Sequence, residues 1–413
     1  MGPASSSGSD AARHDLAARL DRAVAGLDDP AVPLVVVDLD AFDRNAADLV
    51  RRAAGKPVRV ASKSLRVPAL VTRALETPGF RGVLAYTLRE ALWLVEHGVT
   101  NDVLMGYPAV DRVALARLVE DPRARQAITL MVDDPAHLDL VDKCLADAGP
   151  GSAGPPVRVA IDVDAGLRVA GTHVGPKRSP LRDPAAVVEL ARDVVGRGMA
   201  LVGVMTYEGQ VAGLPDTVPG QRARSLVVRR IKGASLAQLA ERRAAIAAAL
   251  REVAELELWN AGGSGSVEAT VADPVVTEVA AGSGLLVPGL FDHYASFAPR
   301  PAAYFGVPVV RRPSPDVVTV AGGGYAASGP AGMDRLPLPW APPGLRLTGL
   351  EGAGEVQTPL TGPGARHLAI GDRVWFRHAK SGELAEHTNL VHLLSGTSIV
   401  ETVRSYRGLG LAW

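Results

Sequence analysis

Between residues 58 and 280 the sequence alternates between two hydrophobic periods, and this alternation constrains the fold more than any other feature. Short runs rich in Val, Ile, Leu and Ala predict strands over 58–62, 82–87, 102–107, 127–133, 157–164, 201–207, 256–261 and 275–280. Stretches with apolar residues at helical spacing predict helices over 66–75, 88–97, 110–119, 135–148, 184–197 and 236–253. Residues 264–271 supply a helical turn before the last strand. Strands separated by helices pair in parallel through right-handed crossovers, and eight such strands close a TIM-type (β/α)8 barrel of about 250 residues. An open doubly wound sheet is the alternative topology.

The flanks read differently. A Ser/Gly-rich stretch, residues 1–10, precedes a helix over 11–25, and a β-branched strand over 32–39 leads into a helix over 41–54 that Asp40 can cap. Beyond residue 289 proline and glycine become dense, helical periodicity stops, and strands are predicted over 303–310, 316–321, 345–351, 373–377 and 390–401. The expected organisation is an N-terminal tail and helix (1–30), an α/β barrel (31–288) and a C-terminal all-β domain (289–413). The segment 210–235, after the sixth strand, is where a barrel would grow an active-site loop.

Composition narrows the functional classes. The 44 basic and 44 acidic residues cancel, so no net field draws nucleic acid or an anionic membrane. No apolar run reaches the roughly 18 residues of a membrane span, and the N-terminus lacks the order of a signal peptide. The single cysteine, Cys144, excludes an intramolecular disulfide and suits the cytoplasm. Lysine is scarce: Lys56, Lys63, Lys143, Lys177, Lys232 and Lys380 are the complete set, and arginine carries the remaining positive charge. Lys63 stands out because it ends an apolar strand rather than lying on a helix face.

Barrel enzymes carry function at the C-terminal ends of their strands. Here those ends are Ala61-Ser62-Lys63-Ser64, Asp162 through Arg168, Thr206-Tyr207-Glu208-Gly209, Asn260 through Ser266, and Ala280 through Gly284. The seventh end has the form of a phosphate site. Gly262, Gly263 and Ser264 let backbone N–H groups approach an anion, and Gly282 and Ser283 stand at the neighbouring end. A tight turn that needs glycine is the plain alternative. A lysine in a partly desolvated barrel mouth has its neutral amine favoured and can form a Schiff base; otherwise Lys63 is a surface lysine at a strand terminus. Arg168 can hydrogen-bond a cofactor ring oxygen or pair with Asp164. Tyr207 can line a cofactor ring or simply pack.

Taken together, Asp38-Leu39-Asp40, Ala61-Ser62-Lys63, Glu90-Ala91, Leu104-Met105-Gly106-Tyr107-Pro108, Tyr207-Glu208-Gly209 and Gly262-Gly263-Ser264-Gly265 resemble, in this order, the fold-type III pyridoxal phosphate enzymes. The similarity covers about residues 33–400. It points to the D-threonine aldolase and D-serine dehydratase-like branch, with the alanine racemase relatives known as amino acid deaminase/aldolase. The resemblance implies that Lys63 carries pyridoxal phosphate, that Gly262, Gly263 and Ser264 hold its phosphate, and that the enzyme is a homodimer acting on a free amino acid.

Aldolase and dehydratase members also place a metal beside the cofactor, using a histidine and, two residues later, a cysteine or aspartate. His378 fits the first position, with a structural loop histidine as the alternative. Lys380 stands at the second, and an insertion in the loop would instead put Ala385 there. Glu383 or His387 can substitute as a ligand for a divalent metal. The expected function is a lyase on β-hydroxy D-amino acids, by retro-aldol cleavage or dehydration, with Lys63 and His378 as catalytic groups. A racemase with Tyr294, Tyr304 or Tyr325 as second base, and a cofactor-holding protein without turnover, are the alternatives.

Overall fold

The computed structural model describes residues 9–28, 30, 32–149, 154–298 and 300–413. The N-terminal tail expected over 1–10 therefore lies, up to residue 8, outside the described residues. In chain order the strands begin with β1 (Leu34–Asp38), β2 (Val58–Ala61), β3 (Phe80–Ala85), β4 (Val103–Pro108), β5 (Ile128–Val132) and β6 (Arg158–Asp162). A short hairpin, β7 (Leu167–Val169) and β8 (Thr172–Val174), precedes β9 (Ala200–Thr206), β10 (Leu258–Ala261) and β11 (Glu278–Ala281). Strands β2 to β6 and β9 to β11 close an eight-stranded parallel barrel, with β11 returning to pair with β2. These are the eight strands expected from the sequence.

The C-terminal region contributes β12 (Ala303–Ser314), β13 (Val317–Ala321), β14 (Leu338–Ala341), β15 (Arg346–Leu347), β16 (Gln357–Thr361), β17 (Arg373–Arg377), β18 (Leu390–Ser395) and β19 (Ser398–Arg404). They form one nine-stranded sheet together with β1, which lies antiparallel to β12 and parallel to β18. The strand predicted over 32–39 therefore lines the C-terminal sheet rather than opening the barrel at residue 31. All five of its residues are buried, which an inner strand covered on both faces requires. The helix Asp10–Val24 covers one face, setting Leu20 and Val24 against Val36, Trp340 and Trp375. On the other face Val35 and Val37 join the large core shared with the barrel.

Several local expectations change. Asp38, not Asp40, caps the helix Leu39–Arg52, accepting the Ala41 N–H at 3.1 Å. Asp40 instead accepts the Gly396 N–H at 3.0 Å, at the turn that divides the run 390–401 into β18 and β19. The expected loop 210–235 is mostly helix: Arg222–Leu250 runs without a break. Its first half carries Arg222, Arg224, Arg229, Arg230 and Lys232 and buries few residues, so it shows no apolar stripe for periodicity to detect. No helix among the described residues is long and apolar enough to cross a membrane.

Candidate active site

Strand β2 delivers Lys63 to the barrel mouth. The chain leaves the strand through a single 3-10 turn, Ser62–Ser64, which the Leu65 and Arg66 N–H groups close onto Ser62 O at 2.8 and 2.9 Å. Ser62 Oγ donates to Leu84 O on the neighbouring strand β3 at 3.1 Å, so the turn cannot swing. Lys63 is half-buried, and its Nζ donates to Tyr107 Oη at 2.6 Å. Tyr107 lies near the end of β4. Burial alone would raise its phenol, but Lys63 and then Arg178 more than offset this, leaving it below the ordinary tyrosine value.

The glycine-serine turns converge on the same mouth. Because β11 pairs with β2, Gly282 and Ser283 lie against Ala61 and Ser64, and Ser64 Oγ is 3.2 Å from Ser283 Oγ. A Cβ on Gly282 would stand 2.5 Å from Ala61 O, so no larger residue fits there. Across the turn, Ser264 Oγ accepts the Gly284 N–H at 2.9 Å and the Gly282 N–H at 3.3 Å. Two backbone donors thus converge on one oxygen, while the Ser264 and Gly265 N–H groups form no internal hydrogen bond among the described residues. The Ser264 and Gly265 N–H groups are therefore the donors this turn leaves to a phosphate. Gly262 serves the turn itself: its φ is +77°, and its N–H is held by buried Glu208 at 3.1 Å. Glu208 is in turn paired with Arg243 at 3.1 Å.

Arg178 completes the mouth. Its guanidinium lies 5.5 Å from the ring centre of Tyr107 and 5.3 Å from that of Tyr207. It also faces Asp162, at the end of β6. Burial, with Asp133 adding to it, pushes the Asp162 carboxyl up to about 7. The Tyr207 ring fits between Gly209 and Gly263, beside the phosphate-type turn.

Residues 37–288 match the family model of the alanine racemase N-terminal domain. The chain belongs to that family. It is therefore a fold-type III pyridoxal phosphate enzyme in architecture, a closed parallel barrel followed by a strand-rich region. A D-threonine aldolase of Arthrobacter sp. is 28% identical over 329 residues, covering 77% of each chain. Among solved structures, D-threonine aldolase from Filomicrobium marinum superposes with a TM-score of 0.76 at 21% identity, over 92% of this chain and 95% of that one. D-threo-3-hydroxyaspartate dehydratase from Delftia sp. HT23 gives 0.69 at 22% identity, over 93% and 98%. Both superpositions show a shared fold.

Of the residues expected at this racemase-type mouth, Lys63, Tyr207, Gly262, Gly263, Ser264, Gly282 and Ser283 are brought together. Arg168 is not. It sits exposed on the β7–β8 hairpin, where its backbone N–H donates to Gln238 Oε1 at 3.1 Å. Asp164 pairs instead with Arg182 at 2.9 Å and His173 at 3.0 Å. The hairpin leaves Arg168 exposed, and it is Arg178 that stands beside Tyr107 and Tyr207. Tyr304 is spent inside the second core, its hydroxyl donating to Pro301 O at 2.9 Å. Tyr294 donates to Ala212 O at 2.9 Å, and Tyr325 stacks on His387 at 4.4 Å.

The metal candidates His378 and Glu383 each have other partners. His378 is buried and lines a small apolar cavity with Val35, Val37, Leu65, Leu286 and Ala303. Burial, helped by adjacent Arg377, pushes its imidazole down to about 3, and its Nε2 lies 3.3 Å from Ser381 Oγ. A ring whose imidazolium is so disfavoured by its aliphatic shell is a weak base. The Glu383 carboxylate accepts the Ser328 N–H at 2.9 Å and faces Lys380 at 3.9 Å. No group of three His, Cys, Asp or Glu side chains that can hold a metal ion exists among the described residues.

Proposed function

We propose that this chain is a pyridoxal-phosphate-dependent lyase acting on β-hydroxy D-amino acids, by retro-aldol cleavage or dehydration. The observation that carries the reading is the 2.6 Å contact between Lys63 Nζ and Tyr107 Oη, set at a barrel mouth that also holds the Ser264 and Gly265 N–H groups, which form no internal hydrogen bond among the described residues and suit a phosphate. The aldolase relative, similar over 77% of this chain, supports the reaction class.

Lys63 would hold the cofactor's carbonyl carbon, the turns around Ser264 and Ser283 its phosphate, and Tyr207 and Arg178 would border its ring. When bound, the cofactor supplies an electron sink for negative charge developed at the amino-acid α-carbon. The protein's own contribution is to place a proton donor and a proton acceptor together. Lys63 Nζ and Tyr107 Oη can pass a proton directly, and the depressed phenol of Tyr107 makes it a stronger acid and its phenolate easier to form. We also assign the working form as a homodimer, which size-exclusion chromatography with light scattering tests.

Two measurements decide the reading. Adding pyridoxal phosphate should produce the visible absorption band of a lysine-bound cofactor, and Lys63→Ala should abolish it. Incubation with D-threonine and D-serine should then release aldehyde or oxo-acid. Appearance of the L-enantiomers as the sole products would assign a racemase instead.

A further inference from the structure

The loop after β17 is pressed directly onto the Lys63 turn. A Cβ on Gly382 would fall 1.9 Å from Lys63 O, so this glycine is what permits the approach. Arg66 ties the two segments together, its Nε donating to Lys63 O at 3.1 Å and its Nη1 to Glu386 at 2.7 Å. Lys380, two residues before Gly382, is anchored through Nζ to Ser328 Oγ at 2.5 Å and has Glu383 at 3.9 Å. Its ammonium is one of the cations that lower the Tyr107 phenol. By the resemblance, Lys380 follows His378 at the spacing of the second metal ligand in metal-using relatives, with Ala385 there instead if the loop carries an insertion; neither side chain is a metal ligand.

An ammonium and a divalent cation exclude one another at such a point, because like charges at short range repel strongly in a partly desolvated site. The remaining candidates amount to one free donor: His378 keeps a buried Nδ1 without a hydrogen-bond partner among the described residues, while its Nε2 faces Ser381 and Glu383 is engaged by Ser328 and Lys380.

We propose that Lys380 is the resident cation of this active site, replacing a divalent metal and donating from its ammonium to a hydroxyl or carboxylate oxygen of the substrate. The substrate half of this inference rests on the lyase reading above; the metal half does not. A lysine is a compact point charge with three donors, able to bind one oxygen without fixed geometry. The side chain is 44% exposed, so it reaches solvent and an incoming substrate.

The test begins with the protein itself, whatever its activity. Titration of the dialysed holoenzyme with MnCl2 or ZnCl2 by calorimetry, together with elemental analysis of the purified protein, should find no stoichiometric metal. One tightly held equivalent would overturn the proposal. Lys380→Met should then lower kcat/KM for D-threonine about ten- to a hundredfold, the usual cost of a lost charged hydrogen bond. Lys380→Arg should restore most of it, which a merely structural role would not predict if both variants melt like the wild type. Equal kcat/KM in Lys380→Met and wild type would also overturn it. Failure of the lyase reading shows separately, as wild-type protein that carries the cofactor band but releases neither aldehyde nor oxo-acid from D-threonine or D-serine.

Discussion

The two sides of the barrel mouth are built on different principles. On one side, Lys63, Ser64, Ser264, Gly282 and Ser283 sit on turns that leave adjacent parallel strands, so barrel closure itself sets their spacing. On the other, the segment from His378 to His387 follows an antiparallel strand of the C-terminal sheet, and its polar side chains bond mainly to one another or to Ser328 and Arg66. The first side depends on the backbone and accepts few residue types. The second depends on side chains, and one substitution can change what it binds. A family can therefore keep its cofactor anchor while altering the group that selects the reaction.

Breaking the first side should have the largest effect. Tyr107→Phe removes the oxygen from its 2.6 Å contact with Lys63 while keeping the ring under Arg178. The expected result is a fall in kcat of about a hundredfold or more, with the cofactor band retained. Unchanged turnover would show that Tyr107 only packs. Breaking the contact between the sides comes next. Gly382→Ala places a side chain at φ +97° against Lys63 O, and the backbone strain alone should cost about 1–3 kcal/mol in a urea unfolding experiment. If the midpoint does not move, the two sides are not pressed together as described.

The smallest effect sharpens the comparison from behind Lys63. Glu90 is fully buried, accepts from Tyr406 Oη at 2.8 Å and from the Tyr86 N–H at 2.9 Å, and is pushed by burial from 4.5 up to about 7. A carboxyl whose folded value is raised binds its proton more tightly when folded. Its stabilising contribution is complete below 4.5 and is lost as pH rises through about 7. Asp162 shifts in the same direction. Thermal melts should show stability declining across this window, and Glu90→Gln should flatten part of the decline. An identical slope in the variant would assign the effect to other groups.

Most of the anchoring side was legible because parallel strands deliver their last residues to one place, and small residues there signal close backbone approach. The same rule reaches Tyr107 in the strand predicted over 102–107, although the motif Gly106-Tyr107-Pro108 does not by itself reveal the contact with Lys63. Arg178 left no such signal. It lies in an irregular stretch after a hairpin, and Arg168, nearer in sequence to the fifth strand end, is the arginine that a reading of strand ends picks out. His378 came from the resemblance to metal-using enzymes, and its burial against Val35 and Val37 was not legible because it depends on β1 joining the distant sheet. The helix Arg222–Leu250 was half hidden because an exposed, arginine-rich helix carries no apolar stripe.

The placement of β1 has a consequence for how the chain is made. On the ribosome, residues Leu34–Asp38 emerge early, yet both strands that flank them, β12 and β18, belong to the last third of the sequence. At about 5–20 residues per second, this apolar strand waits on the order of tens of seconds for its partners. The barrel can begin to close in that interval, but the sheet that carries Lys380 cannot. A nascent or truncated chain ending near residue 290 would expose an unpaired edge rich in valine, and its fate depends on what shields that edge.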